Sequence, residues 1–229
     1  MRDASRSWQS DHPWATVYDA VSSDPRLGAL LWRVGMGSSI DELHRRARTE
    51  LAALPDGAAV LDVPCGGGVV LRDLPEGHRL RYVAADIAPT MLERTRREAR
   101  RLGLDVAKDG EQPPGTVRTQ PADAQALEEP DGTYALVLAF TSLHCFPDPG
   151  AAVRELVRVL EPGGRLVGSV FCSDAGLRFL PVHTAGRAIG VLGPPIRRAE
   201  VRRWMVGAGL DDVQVDQAGA LTYFAGTRG

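Results

Sequence analysis

Apolar runs alternate with helical patterns along this chain, the signature of a parallel sheet covered by helices. Five runs read as strands: AAVLDVP (58–64), LRYVAADI (80–87), VRTQPADA (117–124), YALVLAF (134–140) and GRLVGSVF (164–171). Several are apolar almost throughout, as strands covered on both faces are. Between them lie amphipathic stretches with start and stop signals. SIDELHRRARTELAAL opens on Ser39 with Glu42 three residues on, a capping box. APTMLERTRREARRLG has Pro89 early and Gly103 at its end. DPGAAVRELVRVLEPGG starts with Asp148 as N-cap and Pro149 at N1, and its glycines predict a stop at Gly163 and Gly164. A last helix, AEVRRWMVGAG, precedes VQVDQA (213–218) and LTYFAGT (221–227). Only Gly219 and Ala220 separate these two runs, so they predict an antiparallel hairpin. The expected fold is a doubly wound α/β sheet of seven strands, mostly parallel, with that reversed hairpin at its end. The segment 103–116 reads as a loop, and 172–197 as an insertion punctuated by Gly and Pro.

Bulk properties narrow the function classes. With 229 residues, the chain is long enough for one large α/β domain or two small ones. A net charge of −2 gives no electrostatic reason for a nucleic-acid or anionic-membrane partner. Lys108 is the single lysine beside many arginines. Cys65, Cys145 and Cys172 are odd in number and far apart, which argues against a disulfide framework or a zinc site. The N-terminus lacks the apolar core of a signal peptide, and no apolar run approaches the roughly 20 residues of a membrane span. A cytoplasmic setting is expected.

Candidate chemistry begins at VLDVPCGGGVVL, residues 60–71. A glycine turn from a first strand lets a ligand approach the backbone and leaves N–H groups to bind it; alone, it is equally a tight connection. About twenty residues on, Asp86 ends the second strand. It can accept from both hydroxyls of a ribose, or cap the helix that starts near Pro89. Asp123, in PADA after the third strand, can accept from an adenine amino group or cap a turn. These groups fall on one edge of the sheet, where such folds bind ligands.

Here the chain resembles the class I S-adenosylmethionine-dependent methyltransferases of the small-molecule type. The matching stretches are VLDVPCGGG, YVAADIAPTMLERTR, PADAQAL, YALVLAFTSLHCFPDP and ELVRVLEPGGRLVGSVF, with the final hairpin as the family's reversed strand. YDAVSSDPRLGALLWR is loosely similar to the quinone-biosynthesis C-methyltransferases. The resemblance implies S-adenosylmethionine as cofactor and S-adenosylhomocysteine as product. Asp62 and the backbone around Cys65, Gly66 and Gly68 would hold the methionine end. Asp86 would take the ribose hydroxyls while Ile87 packs on the adenine. Asp123 and the Ala124 amide would read the adenine edge, and Phe140 and Thr141 would offer carbonyls to the amino group. Pro64 stands where the family usually has glycine, removing a backbone donor.

The resemblance implies one domain: an N-terminal helical cap or lid (1–54), a cofactor-binding core (55–171), a substrate-side insertion (172–197), and a C-terminal helix and hairpin (198–229). A sulfonium methyl is already activated, so alignment and exclusion of water supply most of the acceleration. His144 is the candidate base, with a structural role as the alternative. Trp14, Tyr18, Trp32, Phe179 and His183 are the candidate acceptor pocket or, equally, anchors of the elements that carry them. They suit an apolar or aromatic metabolite. No metal is expected, no nucleic acid and no membrane, and the assembly state is monomer or homodimer. Against a dehydrogenase, CGGGVVL lacks G-x-G-x-x-G spacing and no Tyr-x-x-x-Lys dyad exists; no G-K-[ST] follows the glycines either. The Pro-Pro-aromatic signature of amino-base DNA methyltransferases is absent after the fourth strand. The alternative of another class is a protein of this fold that binds the cofactor without transferring methyl.

Overall fold

The computed structural model describes residue 37 and residues 40–108, 110–188 and 192–229. Its centre is an eight-stranded sheet in the order β3-β4-β2-β1-β5-β6-β8-β7. The strands are β1 (Ala59–Asp62), β2 (Arg81–Asp86), β3 (Asp105–Val106), β4 (Thr116–Pro121), β5 (Tyr134–Ala139), β6 (Leu160–Phe171), β7 (Leu210–Ala218) and β8 (Leu221–Arg228). β1 pairs in parallel with β2 and β5, whereas β8 runs antiparallel to both β6 and β7. The expected mostly parallel sheet with a reversed C-terminal pair is present. The eighth strand is the two-residue β3, which pairs with Thr116 and Val117 inside the segment read as a loop.

Among the described residues five helices accompany the strands: α1 (Ile40–Ala52), α2 (Pro89–Arg101), α3 (Pro149–Arg158), α4 (Leu180–Ala188) and α5 (Arg198–Gly207). Strand periodicity distributes them. Val60, Tyr82, Ala84, Leu136 and Leu138 point to one face, where they meet Leu43, Ala47 and Leu51 of α1 and Leu92 and Ala99 of α2. Their neighbours Leu61, Val83, Ala85, Val137 and Ala139 point to the other, against Val153 and Leu156 of α3 and Val201 and Met205 of α5. Both faces are covered, which explains why these strands are apolar without alternation.

Start signals were legible and one stop signal was not. The Asp148 carboxylate accepts from Ala151 N–H at 2.9 Å, with Pro149 at the first helical turn of α3. However, α3 ends at Arg158, not at the glycines. Val159 caps it and β6 starts at Leu160, opposite Tyr134, with a register shift before the pairing resumes at Leu136. A side chain at Gly164 would stand 2.8 Å from the Glu161 carbonyl and 3.0 Å from that of Tyr134. That pair of glycines therefore forms a bulge in the strand rather than a helix cap. Ser39, the expected N-cap of α1, lies outside the described residues.

Candidate functional site

Parallel pairing sets the ends of β1, β2, β4 and β5 along one edge. Asp62 pairs with Ala84 and Leu138, and Asp86 pairs with Pro121. Asp62 is 2% exposed. One of its oxygens, Oδ2, accepts from the Tyr82 hydroxyl of β2 at 2.8 Å, and among the described residues Oδ1 has no donor. Burial pushes the Asp62 carboxyl up to about 7; the Tyr82 bond opposes this and the nearby Asp86 charge adds to it.

The turn that follows is held from several sides. Val63 N–H donates to the Leu138 carbonyl at 2.9 Å and Cys65 N–H to that of Ala85 at 2.8 Å. Pro64 thus sits between two amides anchored to β5 and β2; the Val63–Pro64 peptide is cis. Gly66 N–H donates to Asp86 Oδ2 at 2.9 Å, and the Gly66 carbonyl accepts from Thr95 Oγ1 of α2 at 2.8 Å. Gly66 has φ 52° and a side chain there would meet nothing within 4 Å, as is also true at Gly67. Gly68 is glycine for a different reason. At φ 79° its added Cβ would stand 3.2 Å from Thr95 Cα and 3.0 Å from Leu71 Cδ1, so it lets α2 pack on the turn. A 3-10 turn, Val69–Asp73, continues the chain.

Both Asp86 oxygens are engaged: Oδ1 accepts from Ala88 N–H at 2.9 Å, a local turn just ahead of α2, whose N-cap is Ala88, while Oδ2 binds the glycine turn. Burial raises its carboxyl above the usual range against those backbone bonds. Burial also raises the Cys65 thiol, helped by the Asp62 and Asp86 charges. The half-buried Ile87 follows. Ala122 N–H donates to the Asp86 carbonyl at 3.1 Å, bringing the Asp123 turn alongside. There Asp123 accepts from Gln125 N–H at 2.9 Å, a turn-capping bond, and Ala124 is buried.

Beyond β5, Phe140 is buried and Thr141 adopts φ 48°, unusual for a β-branched residue. Its N–H donates to the Ser169 hydroxyl of β6 at 2.9 Å, which holds it there. His144 lies in a 3-10 turn, Leu143–Cys145, and is 6% exposed. Its Nδ1 accepts from Phe171 N–H at 3.1 Å, and its ring meets Phe171 edge-on at 4.6 Å. That bond ties the β5 turn to β6, the structural role that the sequence leaves open for His144 beside that of a base.

Asp62, Cys65, Gly66 and Asp86 form one cluster, with Asp123, Ala124, Phe140 and Thr141 at the neighbouring strand ends. Phe179 is buried in a 3-10 turn, Leu177–Phe179, with the Arg178 guanidinium 4.4 Å above its ring. Trp14, Tyr18 and Trp32 lie outside the described residues, as does the His183 side chain on α4. Tyr82, Gly67, Thr95 and Ser169 were missed. Thr95 alone carried a sequence signal: it is a polar residue on the apolar stripe Leu92, Thr95, Ala99. A separate depression of about 400 Å³ between α2 and Pro121 contains none of the cluster. Among the described residues no group of acids, histidines and cysteines is arranged to hold a metal, and no helix is long and apolar enough to cross a membrane.

The family model described as a methyltransferase domain matches residues 61–168, from β1 into β6. Demethylmenaquinone methyltransferase of Thermus thermophilus is 37% identical over 126 residues, 54% of this chain and 51% of that protein. The chain thus spans about half the length of that relative. The ubiquinone biosynthesis O-methyltransferase of Xanthomonas euvesicatoria is 30% identical over 185 residues, covering 77% of this chain and 69% of that one. Among solved structures, an S-adenosylmethionine-dependent methyltransferase of Thermotoga maritima, titled as a possible histamine N-methyltransferase, superposes with a TM-score of 0.61 at 16% identity over 95% of this chain and 100% of its own. Sheet order, strand-end acids, glycine turn and these relatives converge: the chain belongs to the class I S-adenosylmethionine-dependent methyltransferases.

Proposed function

We propose that this chain transfers a methyl group from S-adenosylmethionine to a small apolar or aromatic molecule. The carrying observation is the cluster at the ends of β1 and β2. A buried carboxyl with one oxygen lacking a donor stands beside a glycine turn whose open side a Cβ would find empty. These groups fit the cofactor: two acids favour its positive charges, and the open turn admits its bulk. Asp62 and the Cys65–Gly68 backbone would hold its amino-acid end, Asp86 the ribose, and Ile87, Asp123 and Ala124 the adenine. Phe140 and Thr141 would supply carbonyls to the amino group. When bound, the cofactor supplies a sulfonium-activated methyl.

The chain's own work is then to fix the acceptor in line and keep water out. With His144 Nδ1 bonded to the Phe171 N–H, an acceptor that is nucleophilic before it loses a proton fits best, an electron-rich ring carbon or a neutral nitrogen, whose proton leaves to water after methyl transfer. The quinone-biosynthesis names of the two curated relatives support an aromatic ring. Trp14, Tyr18, Trp32, Phe179 and His183 are the proposed acceptor side, and a cytoplasmic monomer or homodimer is the proposed form.

The test is calorimetric titration with S-adenosylmethionine and S-adenosylhomocysteine, on the wild type and on Asp86→Ala. Micromolar binding that weakens at least about tenfold in the variant is expected, the loss of one charge-assisted contact. A folded wild type that binds neither ligand overturns the proposal. Binding without transfer to any quinol, phenol or amine of an acceptor panel would favour a cofactor-binding protein that does not methylate.

A further inference from the structure

Thr95 is fully buried on α2, facing the turn. Helical threonines commonly return their hydroxyl to the carbonyl four residues back; this one donates instead to the Gly66 carbonyl at 2.8 Å. The Gly66 carbonyl also accepts from the Cys65 thiol at 3.7 Å, and that thiol lies 3.5 Å from the Thr95 hydroxyl. Gly66 N–H is held by Asp86 at 2.9 Å. With both sides of Gly66 engaged, the plane of the Gly66–Gly67 peptide is fixed.

That peptide is trans, so its N–H points opposite to its C=O. The carbonyl faces Thr95 and α2, so the Gly67 N–H faces away from the helix; a Cβ at Gly66 or Gly67 would meet nothing within 4 Å. Among the described residues no acceptor lies on it. A donor lacking an acceptor (Gly67 N–H) and an acceptor lacking a donor (Asp62 Oδ1) complement the two ends of an α-ammonium carboxylate.

We propose that Thr95 is a positioning residue: through the Gly66 carbonyl it aims the Gly67 N–H at the carboxylate of the cofactor's amino-acid end. This rests on the proposed function and adds a residue to it, acting through the backbone and touching no ligand itself. Gly68 belongs to the same device, since its lack of a Cβ is what allows Thr95 to come within reach.

The experiment compares Thr95→Val and Thr95→Ser with the wild type against two ligands. S-adenosylhomocysteine carries the amino-acid group; 5′-methylthioadenosine keeps the adenine, ribose and thioether but lacks it. Thr95→Val is expected to weaken S-adenosylhomocysteine about tenfold, the worth of a charge-assisted hydrogen bond, and to leave methylthioadenosine within about twofold. Thr95→Ser restores the first. Equal losses for both ligands would show general damage to the seat and overturn the assignment, as would no loss. A wild type that binds neither ligand instead overturns the proposed function. Should Thr95→Val fail to fold, Thr95→Ala is read by the same ratio.

Discussion

Replacing Asp62 by asparagine separates stability from binding, with opposite signs. The wild-type carboxyl titrates near 7 in the fold, against 3.8 for an ordinary aspartate. Between those values the native state holds a proton that the unfolded state has released, so stability is greatest at low pH and falls as pH rises towards 7. Two pH units of that window lie between pH 5 and 7, at about 1.36 kcal/mol each, so the wild type loses roughly 3 kcal/mol between pH 5 and 8 through this group. The carboxamide of the variant keeps an acceptor for Tyr82 and has nothing to titrate. The difference between the two proteins should therefore grow in the variant's favour by roughly 3 kcal/mol from pH 5 to pH 8, or about 6–12 °C in Tm for a chain of this size. Paired denaturation curves at the two pH values measure it, and the difference reports Asp62 together with its coupling to the Asp86 charge. Binding runs the other way. A cation favours the ionised carboxyl, so wild-type affinity for S-adenosylmethionine should drop by up to tenfold per unit below pH 7 through this group, a dependence Asp62→Asn removes along with most of the affinity. A variant equally displaced from wild type at both pH values, or less stable at pH 8, would refute the reasoning.

The remaining expectations concern packing. Gly68→Ala puts a methyl against Thr95 at a left-handed φ and should cost more than the roughly 1–2 kcal/mol of that backbone strain alone. Gly66→Ala meets no atom, so it should cost only the strain while obstructing the open side of the turn; thermal melts and cofactor titration together distinguish the two. His144→Asn retains an acceptor for Phe171 N–H and should leave kcat within severalfold at every pH. His144→Leu should lose about 1–3 kcal/mol of stability by orphaning that amide, and loss of a pH limb in the asparagine variant would restore the base. The buried Asp73 carboxylate binds His44 Nδ1 at 2.5 Å and Arg48 Nε at 2.9 Å, both on α1. Asp73→Asn should cost about 2–3 kcal/mol in urea, reduced from a fully buried pair because Arg48 is largely exposed. A change below about 0.5 kcal/mol would show that α1 docks by its leucines alone.

Elements with a covered core announced themselves, because β1, β2 and β5 cannot alternate when helices lie on both faces. Local punctuation was ambiguous where one residue type serves two purposes. The glycines at 163 and 164 stop helices elsewhere, but here a strand already under way needs them for a bulge. Two-residue β3 carries too few positions for any period. In the site, acids at strand ends were legible because the sheet places them by register. What lay between them was not: Tyr82 meets Asp62 across 20 residues, Thr95 meets Gly66 across 29, and Ser169 meets Thr141 across 28. Such bonds depend on which strand or helix lies beside which turn. At His144 the sequence left two roles open, and the bond to Phe171, 27 residues on, is the part it could not show.

One consequence of the strand order concerns synthesis. β8 is translated after both of its neighbours, yet it lies inside the sheet, between β6 and β7. While a ribosome still holds residues 221–228, β6 has a bare edge and β7 has no neighbour to join. A nascent chain can assemble the order from β3 to β6, with the glycine turn, before the two final strands dock together as a hairpin. During that interval the open flank of β6 is a surface for unwanted pairing with other chains, and whatever shields it must leave as the hairpin arrives.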